Sequence, residues 1–383
     1  MKYIPFAACV FLSPVFCLAQ DLPKKPAPIQ PSFEMTILHP PKQVSTNGKS
    51  MLFYELKLTN FYHEPLSLRR LEIFDSKNSI SALDEKDILS RLYKPGKRTK
   101  DEVPSAMINA GSTAIIYIEL QTQPPLTLQH RITFQRAEQN SEPVFIDGAN
   151  CDIDNTSSIV LGPPLSGGPW VAIYEPSWER GHRRVIYTID GQARIPGRFA
   201  IDFIKVDDSG FIAKGDDADR NEIKNWYGYG ANVLAVADGV VASTRDDFSE
   251  SPTLSAHPAY SEQEATGNYV SIRIGENQFA FYEHLKPTSV RVKPGQKVKK
   301  GDVIASLGFT GQTTGPHLHF HVAEKDSPLG AEGIPFVIDN FTLLGSYPDL
   351  SVFDKERWQT VERGTNSKIK NELPGANTAI TFD

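Results

Sequence analysis

The chain has 383 residues, 40 Lys+Arg against 46 Asp+Glu, and a formal charge of −6. With 40% hydrophobic and 22% charged residues it reads as globular, and at ~100–200 residues per domain it has room for two or three domains with ample core. The mild acidity leaves no basic footprint for nucleic acid, and 27 Gly with 28 Pro fit many short strands better than long helices.

Met1-Lys2 is a short cationic start, and Ile4 to Leu18 is an apolar run too short to cross a bilayer. Cys17 and Ala19 put small residues at −3 and −1, so residues 1–19 are expected to be a signal peptide cleaved after Ala19. Phe16 stands where a lipidated cysteine wants a small neighbour, which argues against a lipoprotein. No later stretch approaches eighteen apolar residues, so the mature chain is expected to be periplasmic or secreted without a transmembrane anchor. Cys9 and Cys17 leave with the signal, and Cys151 alone cannot form an internal disulfide.

Residues 20–32 are proline-rich and read as an extended linker. Over 33–140 the runs at Phe33–Leu38, Leu52–Asn60, Leu66–Phe74, Thr113–Leu120 and His130–Phe134 are short, β-rich and divided by turn signals. That pattern predicts an Ig-like β-sandwich, with a helical turn or two at Asp84–Leu92. His39, His63 and His130 are isolated here and read as structural or surface residues. Residues 141–168 are Gly/Pro/Asn-rich and read as a second linker. The segment 169–345 holds most of the histidines, six of the nine, and 346–383 reads as a polar tail at the surface.

The chemistry concentrates in His317-Leu318-His319-Phe320-His321, preceded by Gly315-Pro316. Gly-Pro marks a turn and the alternation marks a strand, on which residues two apart share a face. All three imidazoles therefore project from one side, roughly 7 Å apart between neighbouring Cα atoms at a rise of about 3.3 Å per residue. That spacing suits one imidazole on a metal and the next on its water. Phe199–Phe203 alternates around Asp202, a metal-ligand candidate beside such a cluster, and Ala280–Leu285 ends a strand at His284, placed to lean into a groove. Gly295 to Ile304 reads as a β-hairpin, while Asp216, Asp217 and Asp219 read as a solvated loop and His257 as a surface histidine in the insertion 244–266.

The stretches FAID (199–202), VLAVADGVV (233–241), GNYVSI (267–272), FYEHL (281–285) and VKPGQKVKKGDVIASLGFTGQTTGPHLHFHV (292–322) resemble the M23 (lysostaphin/LytM-type) zinc metallopeptidases, over about a third of the chain. The resemblance implies an antiparallel β-sheet groove and cleavage of peptidoglycan peptides. It also implies Zn2+ held by Asp202 and His319, with His284 and His317 as the catalytic pair. Three protein ligands leave a fourth position open for a water of lowered pKa, which neutral imidazoles can orient and deprotonate.

One position departs from the pattern. The family's first ligand is a histidine four residues before the aspartate, and here that residue is Arg198, which keeps its proton and cannot ligate a metal. Two residues qualify as substitutes. His182 would fold back beside 198–199 if a hairpin forms about Asp190-Gly191. A two-residue loop pairs it with 199 and points it away, whereas a three-residue loop pairs it with 198 and points it in. His321, two residues beyond His319 on the same strand face, is the alternative.

The expected fold is thus all-β: a β-sandwich followed by an antiparallel groove domain. The expected function is an exported zinc endopeptidase acting on peptides of peptidoglycan cross-links or stems. The alternative, favoured by Arg198, is a degenerate domain of the same fold that binds cell wall or regulates a partner hydrolase.

Overall fold

A computed structural model describes residues 32–96, 105–123, 127–136, 141–175, 178, 181–361 and 367–382. The expected signal peptide and residues 20–31 of the expected linker lie outside the described residues.

The amino-terminal unit consists of strands β1 (Phe33–Ile37), β2 (Gln43–Thr46), β3 (Lys49–Asn60), β4 (Leu66–Asp75) and β5 (Asn78–Asp84), helix α1 (Glu85–Arg91), and strands β6 (Leu92–Tyr93), β7 (Met107–Ile108), β8 (Thr113–Gln121), β9 (Thr127–Arg136) and β10 (Val144–Asp152). One antiparallel sheet runs β1-β3-β8-β6, with β2 also on β3; the other runs β10-β9-β4-β5, with β7 on β4. Strict alternation explains the layering. Leu52, Tyr54, Leu56 and Leu58 of β3 meet Leu66, Leu68, Leu71 and Ile73 of β4 and Leu128, Ile132 and Phe134 of β9 in one core. The same period turns Phe53 and Glu55 to the opposite face, where they are nonetheless buried. Helix α1 starts where the Asp84 carboxylate accepts the Asp87 N–H, and it buries Ile88.

The second unit begins earlier than its composition suggests. The expected linker 141–168 contains β10, which pairs with β9, then β11 (Ile159–Leu161), and it runs into β12 (Gly167–Ile173). Its Gly, Pro and Asn residues punctuate strands instead of replacing them. After β12 come β13 (Tyr187–Ile189), β14 (Gln192–Arg194), β15 (Ile201–Lys205), β16 (Asn232–Leu234), β17 (Gly239–Arg245), β18 (Tyr269–Gly275), β19 (Gln278–Glu283), β20 (Lys297–Val298), β21 (Val303–Ser306), β22 (Leu318–Ala323), β23 (Phe336–Ile338), β24 (Phe341–Ser346), β25 (Gln359–Thr360), β26 (Lys368–Ile369) and β27 (Thr378–Phe382). A large antiparallel sheet orders eleven of these strands β20-β17-β18-β19-β22-β15-β12-β27-β24-β25, with β26 on β24, while β11-β23, β13-β14 and β16-β21 pair separately.

Two expectations fail here. The tail does not lie loose on the surface: β27 inserts between β12 and β24, burying Ile380 and Phe382. Each such side chain contributes about 1.5–3 kcal/mol, enough to hold the chain end in the sheet. Residues 295–304 are not a self-paired hairpin, because β20 pairs with β17 and β21 with β16.

The two units share a core. Val44 and Phe53 of the first pack with Phe199, Phe336 and Leu373 of the second, and the Phe53 and Phe199 rings meet edge-on at 6.1 Å.

Candidate metal centre

Strand β22 lies between β15 and β19, and its register decides what surrounds its histidines. His319 stands directly opposite Asp202 on one side and Glu283 on the other. Directly paired residues project from the same face, so an aspartate, a histidine and a glutamate form a row across three strands. His317, His319 and His321 share that face and are buried, not solvent-exposed.

His182 arrives by a route the sequence did not disclose. The Asp190-Gly191 turn has two residues, both at positive φ (52° and 73°), as a type I′ hairpin requires. Continued, that register would pair 182 with 199 and turn His182 away. The ladder stops at Tyr187 opposite Arg194, and two 3-10 turns, His182–Arg184 and Pro196–Phe199, replace it. These turns pack on each other so closely that a Cβ on Gly197 would fall 2.7 Å from the His182 Cβ. The packing brings His182 Nε2 to 3.3 Å from Asp202 Oδ2 and sets its ring edge-on to His319, 4.6 Å between centroids. His319 Nδ1 lies 2.9 Å from Asp202 Oδ1. Donor atoms of His182, Asp202 and His319 all lie within 4.8 Å of one another.

His317 and His284 flank this group. The His317 Nδ1–H donates to the Gly315 carbonyl at 2.8 Å, with Thr313 Oγ1 at 3.1 Å, which turns its Nε2 to within 3.3 Å of Asp202 Oδ1. His284 donates Nδ1–H to the Thr310 carbonyl at 2.8 Å, and its ring lies 4.7 Å from that of His317. Both rings thereby commit Nδ1 to a backbone carbonyl and turn Nε2 toward the site. His284 has φ 62°, uncommon for a side-chain-bearing residue; its N–H to Thr266 O and its carbonyl to Gly308 N fix it there. The Gly308–Gly311 motif explains the Thr310 carbonyl's position. A Cβ on Gly311 would sit 2.3 Å from Gly267 N, and one on Gly267 2.4 Å from Thr310 C, so only glycines let the two loops touch.

The electrostatics divide the groups. Burial would raise the Asp202 carboxyl, but His182 and His317 outweigh it and hold Asp202 well below the usual range. Burial, with the neighbouring Asp202 charge, pushes Glu283 well above it. Burial and the adjacent His317 and His319 drive His284 well down, so it stays neutral. Burial opposes charge on His317 too, yet Asp202 prevails and raises it. The two carboxyls are thus driven in opposite directions, and so are the two histidines. Such divergence marks groups poised for acid and base roles.

His321 does not join the group around Asp202. It stacks on Phe281 (4.8 Å, 13°), its Nδ1 is 3.7 Å from Glu283 Oε1, and with Glu283 and His319 it forms a second, overlapping set of donors within 4.8 Å. A cavity of about 170 Å³, lined among others by His182, Glu283, His284, His319 and His321, fronts both sets. Arg198 lies outside both: its guanidinium pairs with Glu55 and Glu332. Asp216, Asp217 and Asp219 are exposed, but the last two lie in a short helix, Asp217–Asn221, and not in the expected loop. His257 is not a loose surface residue, since its Nε2 meets the Gly311 carbonyl at 2.7 Å and its ring lies against Phe309. Glu283, Thr310 and Thr313 were missed from the sequence; only the Glu283-His284 adjacency at a strand end could have flagged the first.

Residues 223–330 match Peptidase family M23. They form an M23 peptidase domain. The match begins after His182 and Asp202 and takes in His284, His317, His319 and His321. Among similar curated proteins, peptidoglycan DD-endopeptidase ShyA of Vibrio cholerae is 37% identical over 102 residues, 27% of this chain and 20% of ShyA. ShyC of the same organism is 36% identical over 91 residues, 24% of this chain and 17% of ShyC. An uncharacterized metalloprotease of Haemophilus influenzae is 41% identical over 95 residues, 24% of this chain and 16% of that protein. The chain thus spans about a fifth of these relatives' length. Among solved structures, the catalytic domain of lysostaphin from Staphylococcus simulans is 19% identical, with 44% of this chain and 88% of that one covered, at a TM-score of 0.24. A zinc containing peptidase from Vibrio cholerae is also 19% identical, with 80% and 85% covered, at 0.23.

Proposed function

We propose that the chain is an exported, zinc-dependent endopeptidase hydrolysing peptide bonds of peptidoglycan cross-links or stems, in the periplasm or outside the cell. The observation that carries this reading is the convergence of His182 and Asp202 on His319 beside the His284–His317 pair, the last three residues lying within the M23 match. The donor set suits zinc. Donors about 2.0–2.2 Å from a tetrahedral ion stand about 3.4 Å apart, and the spacings of 3.3 and 2.9 Å about Asp202 are of that order. The ion would be held by His182, Asp202 and His319. When bound, it polarises a carbonyl and lowers the pKa of water to about 7.

The remaining work falls to the chain's own groups. His284, kept neutral, offers Nε2 as the acceptor for a water proton. His317, which Asp202 inclines toward the cation, can stabilise charge growing on the scissile oxygen and return a proton to the leaving amine. The cavity of about 170 Å³ lies against His182, His284 and His319, so a scissile carbonyl entering it would meet the ligand group and the His284 imidazole. The naming of ShyA and ShyC as peptidoglycan DD-endopeptidases supports the substrate class.

Zinc content of the purified mature protein, measured together with soluble fragments released from isolated cell walls, tests the proposal. Stoichiometric zinc and chelator-sensitive release are expected. Bound zinc without release leaves the second reading, a binding or regulatory domain, which the Arg198 substitution favours; absence of both overturns the metallopeptidase assignment.

A further inference from the structure

His182 owes its place to the other unit of the molecule. The residue that follows it, Arg183, has a side chain only 3% exposed, and among the described residues the polar contacts of its guanidinium are with the amino-terminal sandwich. Arg183 Nε donates to Glu55 Oε1 at 3.1 Å, Nη2 to the carbonyls of Tyr54 (2.9 Å) and Ile118 (2.8 Å), and Nη1 to Glu119. Its planar group also lies 5.4 Å from the rings of Phe53 and Tyr117.

The acceptors form a built receptacle. In the β3–β8 register Phe53 is opposite Glu119 and Glu55 opposite Tyr117, so all four project from the outer face of one sheet. Glu55 is 1% exposed and accepts from Arg198 as well, at 2.6 Å; Arg198 in turn reaches Glu332, which accepts the Ile195 N–H at 3.1 Å and lies 3.0 Å from His39 Nε2. Both 3-10 turns that frame His182 are therefore fastened to Glu55, one through Arg183 and the other through Arg198.

We propose that Glu55 and Arg183 are positioning residues for the metal centre, and that the sandwich module completes that centre by holding His182 against Asp202. The proposal rests on the assignment of His182 as a metal ligand. A three-residue 3-10 turn has too few internal hydrogen bonds to hold a ligand by itself, so a rigid fork from a neighbouring sheet supplies the constraint. Residues that orient a ligand typically change metal affinity 10–100-fold when altered.

The test uses full-length protein and Zn2+ affinity measured by competition with a chromophoric chelator, with Co2+ absorption reporting ligand geometry. Glu55→Gln keeps the shape and removes the charge; Arg183→Lys keeps a cation and loses the fork. Zinc affinity is expected to fall about 10–100-fold in Glu55→Gln and by a smaller factor in Arg183→Lys. In the double variant His182→Ala/Glu55→Gln, affinity should match His182→Ala alone, because Glu55 acts through that ligand. Additive losses, or an affinity within twofold of wild type in both single variants, overturn the proposal. Should Glu55→Gln unfold, Arg183→Lys and its double with His182→Ala give the same decision. A wild-type protein that binds no Zn2+ instead sinks the ligand assignment itself, which separates the two failures.

Discussion

Replacing Arg198 by methionine tests whether the arginine is a structural clamp between the two units. The side chain is 6% exposed, and its partners Glu55 and Glu332 are 1% and 5% exposed. Removing one member of a buried ion pair costs about 3–5 kcal/mol, since the partner charge remains buried. Glu55 keeps Arg183, and Glu332 keeps His39 and the Ile195 N–H, so the lower end, about 3 kcal/mol at neutral pH, is expected. The loss should also depend on pH in a definite sense. Burial alone would raise the Glu55 pKa, but Arg198 and then Arg183 bring it below the usual value. In the wild type the unfolded chain therefore takes up this proton first, and the contribution of Glu55 to stability disappears as pH falls below about 4.5. Without Arg198 the folded-state pKa moves up, so the folded variant accepts the proton earlier. Its deficit relative to wild type is largest at neutral pH and narrows on acidification, by about 1.4 kcal/mol for each unit of difference between the folded pKa values. Urea unfolding of both proteins, in chelator, from about pH 7 down to about pH 4 measures this directly. A deficit under about 1 kcal/mol, or one constant across that range, refutes the clamp. By the same reasoning Arg198→His is expected to weaken the fold around the site, because imidazole cannot span both glutamates.

His319→Ala should abolish zinc retention while His317→Ala keeps the ion and loses turnover; metal analysis beside fragment release separates the two, and equal zinc loss in both overturns the division of roles. At His284, the positive φ predicts that His284→Gly is at least as stable as His284→Ala, by up to about 1 kcal/mol, although both lose activity; thermal unfolding in the usual order, Ala above Gly, contradicts the strain. In the sandwich, burial lowers His130 to about 4, with Nε2 accepting from the Tyr54 hydroxyl and Nδ1–H donating to the Ala149 carbonyl. The unfolded chain binds a proton there from about pH 6.5 downward while the folded one resists it until about 4. Stability should therefore drop by up to about 3 kcal/mol across that window, a slope that His130→Phe removes in pH-dependent urea titrations; an unchanged slope counts against it.

What the sequence disclosed about the site was whatever a short period controls. Alternation alone put His317, His319 and His321 on one face, and alternation about Asp202 made it a candidate; the β15–β22 register, which sets Asp202 opposite His319, is the tertiary fact that joins them. The sandwich strands were readable for the same reason, as was α1, whose Asp84 cap is local. Where partners lie far apart in sequence, the reading failed. Polar composition at 141–168 and 346–383 hid β10 and β27, because a strand paired on both sides, as β27 is, needs only a few apolar residues such as Ile380 and Phe382 to be held.

His182 shows the limit most sharply. The sequence left a two-residue and a three-residue loop open at Asp190-Gly191; the two-residue turn forms, and its register carried across five more residues would point the histidine away. The ladder ends before the extrapolation applies, and the turns that follow it carry Arg183 and Arg198 onto a carboxylate on β3 some 130 residues earlier in the chain. The same arginine that removes a ligand at position 198 thus helps fix the turn that offers another. A local pattern can state which residues are chemically able to hold an ion; which of them meet depends on contacts such as those of Glu55 with Arg183 and Arg198, which only the packing of the two units reveals.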